Sequence, residues 1–175
     1  MPRTPRPSKL IYILPNLFTA SGIFAGVFSM VSAVNGEFEK AAWLIMLALL
    51  FDGLDGRVAR LTNTCSKFGM EFDSLADIVA FGAAPAILLY TYAGDDFGRY
   101  GIVVSALFVI FGAVRLARFN VMTSHTEPSV FIGVPIPTAA VFMAVLVLLF
   151  ESYSGMKGAG VTLLVAAVVV SLLMV

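Results

Sequence analysis

Residues 41–61 read Ala-Ala-Trp-Leu-Ile-Met-Leu-Ala-Leu-Leu-Phe-Asp52-Gly-Leu-Asp55-Gly56-Arg57-Val-Ala59-Arg60-Leu61. The run is apolar for about half its length and then, without a turn residue to end it, takes up two aspartates and two arginines. Crossing a bilayer core needs about 20 residues. At 1.5 Å per residue, Asp52 then lies roughly 17 Å inside such a span. A carboxylate near a span centre costs about 2.5–3.5 kcal/mol, so these acidic residues are retained for a task.

Five further stretches of spanning length flank this one: Leu10 to Val34, Phe72 to Ala93, Tyr100 to Val121, Pro135 to Phe150 and Gly158 to Val175. The 175 residues are 59% apolar and 13% charged, whereas soluble domains run near 45–50% and about 25%. That excludes a soluble domain. Eleven basic residues balance eleven acidic ones, so there is no net basic field for nucleic acid. The single cysteine, Cys65, forms no internal disulfide, and no Cys/His cluster has zinc-ligand spacing. Asn35-Gly36, Gly94-Asp95-Asp96, Ser129 to Pro135 and Ser154-Gly155 break the runs with turn chemistry. Open strand edges do not survive in lipid, so the spans are helices. The expected architecture is an all-α membrane protein: one domain over residues 1–175, folded as a six-transmembrane-helix bundle.

Basic residues set the expected orientation. Arg3, Arg6, Lys9, Arg57, Arg60, Lys67, Arg115 and Arg118 fall on one side, and Lys40, Arg99 and Lys157 on the other. The positive-inside rule puts the first group, and with it both termini, in the cytosol. The first apolar run follows basic residues but lacks an A-x-A site, so it reads as a retained span and not as a signal peptide. The expected location is an integral multi-pass membrane protein, in the cell membrane if the source is prokaryotic.

A second acidic pair follows in Gly69-Met-Glu-Phe-Asp73-Ser-Leu-Ala-Asp77. Asp52 and Asp55 are spaced i,i+3 and Asp73 and Asp77 i,i+4, so each pair shares one helix face. A short connection makes the two helices antiparallel, which lets all four carboxylates converge at the cytosolic end. Uncompensated, four would cost on the order of 10–14 kcal/mol. An ion-pair network with Arg57 and Arg60 is one remedy. Divalent cations are the more economical one: oxygen ligands without Cys or His select Mg²⁺ or Mn²⁺, and admit Ca²⁺. Four carboxylates suit two ions clamping a phosphoryl group. Gly56 and Gly69 allow a phosphate close to the backbone, Arg60 offers a fork for its oxygens, and Ser66 a hydroxyl.

The spacing D-x2-D-G-x2-A-R-x8-G-x3-D-x3-D is present at Asp52, Asp55, Gly56, Ala59, Arg60, Gly69, Asp73 and Asp77. It resembles the signature of the CDP-alcohol phosphotransferases, membrane enzymes of phospholipid synthesis. The resemblance implies six helices, a homodimer and two bound Mg²⁺ or Mn²⁺ ions. It further implies that Asp52, Asp55, Asp73 and Asp77 ligate the metals, that Asp77 is the general base, and that Gly56, Ala59, Arg60, Ser66 and Gly69 hold the CDP-lipid.

Three other stretches resemble the phosphatidylserine-synthase branch: Asp73 to Pro85, Arg115-Leu-Ala-Arg118-Phe-Asn120, and Gly133-Val-Pro-Ile-Pro137. They imply CDP-diacylglycerol, or an ether-lipid equivalent, as donor and L-serine as acceptor, giving phosphatidylserine and CMP. Arg115 and Arg118 are then candidates for the serine carboxylate, or else snorkel to the headgroups. The same residues leave open another acceptor, glycerol 3-phosphate or an inositol phosphate, and, in a different class, a cation transporter or channel. Asn16 is placed to face the site or a neighbouring helix. Gly22 and Gly26 allow close helix contact or dimerisation, His125 reads as a solvated surface residue, and Cys65 as incidental.

Overall fold

Gly36 ends the first helix. It takes φ 78°, a left-handed conformation that a residue without Cβ adopts freely, and so turns α1 (Ile13–Val34) back into α2 (Phe38–Leu61). In this computed structural model, which describes residues 13–62, 66–123, 133–153 and 158–175, the two form a closely packed antiparallel hairpin. Ser29 ties its far end by donating to the Ala41 carbonyl at 2.8 Å.

The third helix, α3 (Lys67–Phe97), is one helical path with two wide turns and a tightened last turn at Asp95–Phe97. Ser66 caps its start, accepting from the Gly69 amide at 3.0 Å. Regular α-turns over Lys67–Asp77 widen to π-turns over Ile78–Ala83, return over Ala84–Leu89, and widen again over Tyr90–Gly94. Three more helices complete the bundle: α4 (Arg99–Thr123), α5 (Ile136–Ser152) and α6 (Ala159–Met174). Pro135 and Pro137 open α5, where missing amides cost little. The core is small-residue packing around a few large side chains: Ala41, Ala42, Ala48, Ala140 and Ala144 are buried with Ile45, Phe81 and Met143.

The six-span bundle is not what forms. Among the described residues, three helices are long and apolar enough to cross a membrane: Ile13–Val34, Lys67–Phe97 and Arg99–Met122. α2 fails because Asp52, Asp55 and Arg57 interrupt its apolar run. α5 and α6 fail on length, with 17 and 16 residues. At 1.5 Å per residue they reach roughly 24–26 Å against a core of about 30 Å. With the six-span count gone, the expectation that both termini share the cytosolic side loses its basis. Its basic leader, within residues 1–12, lies outside the described residues, as do Cys65, His125 and Lys157.

Two close approaches set the helix spacing around the acidic residues. A Cβ at Gly26 would stand 2.8 Å from Ala80 Cα, so α1 crosses the first π-turn of α3 nearly backbone to backbone. Gly22 instead faces Ala48 and Phe51 of α2. The Gly22/Gly26 pair is therefore spent on contacts within the chain. On the other side, Ile136 of α5 reaches the surface left bare by Gly82 of α3 and Gly112 of α4.

Candidate active site

The acidic face forms because two helix periodicities meet across the bundle. About two turns from its C-terminus, α2 presents Asp52 and Asp55, and the first turns of α3 present Asp73 and Asp77. All four line one small cavity together with Thr19, Gly22, Ala48 and Phe81. One oxygen each from Asp52, Asp55 and Asp73 lie within 4.8 Å of one another. Asp77 stands outside that triad but against Asp52.

No ion pair neutralises these carboxylates among the described residues. The ion pair found there, Lys40 with Glu37 at 2.7 Å, is exposed at the opposite end of the hairpin. Arg57 and Arg60 are both exposed. A structural ion-pair network is thus absent from the described part of the site. Asp73 Oδ1 is buried and has no hydrogen-bond partner, and an orphaned carboxylate oxygen in an all-oxygen donor set fits a hard divalent cation. Ligand oxygens stand at most about 4.2 Å apart around one Mg²⁺ and about 5 Å around one Ca²⁺. The triad therefore sits within one coordination sphere for the larger ion and must close by a few tenths of an ångström for the smaller.

Beside the acidic cavity lies a cleft of about 160 Å³, lined by Pro15, Asn16 and Thr19 of α1, by Asp55, Gly56, Ala59 and Arg60 of α2, and by Ser66, Gly69, Met70 and Asp73. Every residue expected at a CDP moiety is in that lining. A Cβ on Gly56 would meet the Arg60 guanidinium at 3.5 Å, an ordinary contact, so this glycine keeps space in the cleft and relieves no clash. Ser66 already accepts from Gly69 as the helix cap. Its own O–H remains to donate.

Arg115 and Arg118 separate. Arg115 is half-buried, feels the charge of Asp77, and has an Nε with no partner, whereas Arg118 is exposed. Asn120, which looks offset from that face in sequence, donates to Ser74 Oγ at 2.9 Å and so ties α4 to the acidic segment of α3. Asn16 takes the site-facing option. Sequence reasoning missed Thr19, whose Oγ1 donates to Asp55 Oδ2 at 2.8 Å. Its only signal was its position three residues after Asn16, one helical turn along the same face.

The profile of the CDP-alcohol phosphatidyltransferase family matches residues 12–173. The chain belongs to that family. Among CDP-alcohol phosphatidyltransferases and related proteins, it is 58% identical over 152 residues to a CDP-diacylglycerol–serine O-phosphatidyltransferase of Helicobacter pylori, covering 87% of this chain and 64% of that one. It is 39% identical over 160 residues to the archaetidylserine synthase of Methanothermobacter thermautotrophicus, covering 90% and 67%. A CDP-diacylglycerol–serine O-phosphatidyltransferase of Mycobacterium tuberculosis is 39% identical over 138 residues, covering 76% and 48%. The chain thus spans 64% of the length of the Helicobacter relative and less than half of the mycobacterial one.

Proposed function

We propose that this chain is a phosphatidylserine synthase: it transfers the phosphatidyl group of a CDP-diacylglycerol-type lipid to the hydroxyl of L-serine and releases CMP, from an active site open to the cytosol. The observation that carries the reading is the meeting of Gly56, Ala59, Arg60, Ser66 and Gly69 with Asp55 and Asp73 around one cleft. The serine named for the relatives supports the acceptor. A homodimer and the ether or acyl nature of the donor belong to the reading through resemblance alone.

In this reading Asp52, Asp55, Asp73 and Asp77 hold two divalent cations, Mg²⁺ or Mn²⁺, which when bound neutralise the pyrophosphate of the donor and stabilise charge during in-line displacement. Arg60 forks onto phosphate oxygens, and Gly56 lets the nucleotide approach α2. Asp77 takes the proton of the serine hydroxyl as its oxygen attacks phosphorus, and the bond to the CMP oxygen breaks. Arg115 holds the serine carboxylate. An apolar groove of about 500 Å³ between α1 and α2 begins at Ala20 and Phe51, next in sequence to Thr19 and Asp52, and runs toward Phe28 and Leu44. It gives the lipid chain a path out of the site.

The test is CMP release by purified protein supplied with CDP-diacylglycerol and Mg²⁺ or Mn²⁺, comparing L-serine with glycerol 3-phosphate and myo-inositol 1-phosphate. Serine-dependent release is expected. Release with another acceptor discards serine and keeps the transfer chemistry, and no release with any acceptor overturns the reading. Arg115→Ala is expected to raise the serine KM about 10- to 100-fold, the 1.5–3 kcal/mol of a charge-assisted hydrogen bond. Arg118→Ala should move it by less than about twofold, as expected of an exposed charge. Equal effects at both positions would remove Arg115 from its assigned role.

A further inference from the structure

Thr19 lies on α1, outside every acidic motif, and is 5% exposed. Its hydroxyl has one proton and two acceptors within reach, Asp55 Oδ2 at 2.8 Å and the Pro15 carbonyl at 3.2 Å. The shorter contact to a carboxylate takes the proton, because an ionised acceptor makes the stronger hydrogen bond. Asp55 is itself buried, 6% exposed. Among the described residues no hydroxyl donates to Asp52 or Asp73, its partners in the triad: Asp73 keeps an orphaned oxygen and Asp52 faces Asp77.

We propose that Thr19 is a positioning residue for divalent-cation binding, its hydroxyl holding the Asp55 carboxylate in the rotamer that turns toward Asp52 and Asp73. The proposal rests on the reading that this triad binds a cation. A carboxylate pinned through one oxygen loses the rotation that would otherwise carry it away from its two like-charged neighbours. The fixed orientation is then present before the ion arrives. α1, which contributes no carboxylate, thereby becomes part of the metal site, and the crossing at Gly26 that seats α1 against α3 helps set the distance.

The test is Mn²⁺ binding, followed by the electron paramagnetic resonance of free Mn²⁺, to the full chain in nanodiscs without any lipid donor. Wild type, Thr19→Val, Thr19→Ser and Asp55→Asn are compared. Thr19→Val, which keeps the shape and loses the donor, should weaken Mn²⁺ binding about 10- to 100-fold, the usual effect of losing a partner that orients a metal ligand. Thr19→Ser, which keeps the donor, should restore the affinity. CMP release by Thr19→Val should recover when Mn²⁺ is raised in proportion, a rescue that a collapsed helix would not show. If elution or helical circular dichroism shows that the valine variant misfolds, the smaller Thr19→Ala carries the same comparison. A hydroxyl-free variant that titrates like wild type overturns the proposal. Wild type that takes up no Mn²⁺ overturns the metal reading itself, and the proposal with it, so the two failures are told apart by the wild-type arm.

Discussion

Asp73→Asn should reduce serine-dependent CMP release by about 10³-fold or more, the several kcal/mol that a metal-held charge contributes to such a transition state. The substitution keeps the shape of the side chain and removes one negative charge. In EDTA the carboxylates face one another without a cation, and Asp73 Oδ1 is buried without a partner. Losing that charge relieves repulsion among its neighbours, so the thermal midpoint of the metal-free variant should be no lower than that of wild type. Adding Mn²⁺ separates the two proteins. At 100 times the dissociation constant a bound ligand stabilises the fold by about 2.7 kcal/mol. Wild type should show that upward shift and the variant should lose it. Activity and metal-free stability thus move in opposite directions, which general misfolding does not produce. An Asp73→Asn protein that releases CMP at the wild-type rate would remove Asp73 from the site.

The second large effect is on folding. Gly26→Val should leave little correctly packed protein, and even Gly26→Ala should lose on the order of 1–3 kcal/mol, the usual range for overpacking. An added Cβ meets Ala80 Cα at 2.8 Å, its Cβ at 3.2 Å and its N at 3.3 Å. Two of those atoms are backbone and none can swing aside. Relief requires α1 to lift from the π-turn of α3, and Thr19 lifts with it. Gly53 provides the contrast: a Cβ there meets nothing within 4 Å. Gly53→Ala should therefore stabilise α2 by up to about 1 kcal/mol through helix propensity alone. Thermal melting of the two alanine variants in one detergent checks both signs, and equal midpoints would refute the crossing.

How far the sequence reached follows from what kind of signal each feature leaves. The acidic face was legible because i,i+3 and i,i+4 spacings fix a helix face, and the turn at Asn35-Gly36 because a positive φ calls for glycine. The number of spans was not. Hydropathy alone treats Pro135 to Phe150 and Ala41 to Leu61 as equivalents of Leu10 to Val34. The structure separates them by helix length and by the charges inside α2. Arg115 and Arg118 could not be ranked from sequence, since three residues on a helix are close enough in angle for either to face inward. Only the packing of α4 half-buries the first and exposes the second. Thr19 was invisible for a simpler reason. A threonine in an apolar helix is commonplace, and the residue that gives it meaning is 36 positions away.

The π-turns of α3 have a consequence for how this helix tolerates change. Each holds a surplus residue relative to an α-helix, the local signature of a single inserted amino acid. Removing one residue from Ile78–Ala83 should close the wide turn to a regular one and leave the azimuth of the segments on either side nearly intact. The same deletion between Asp73 and Asp77, in the regular turns, would rotate one away from the other by about 100°, one residue's share of a 3.6-residue turn. The helix thus carries its slack just beyond the acidic face, in the stretch that also holds the Ala80 crossing and the Gly82 contact with Ile136. There, length can vary while the phase of the carboxylates is preserved.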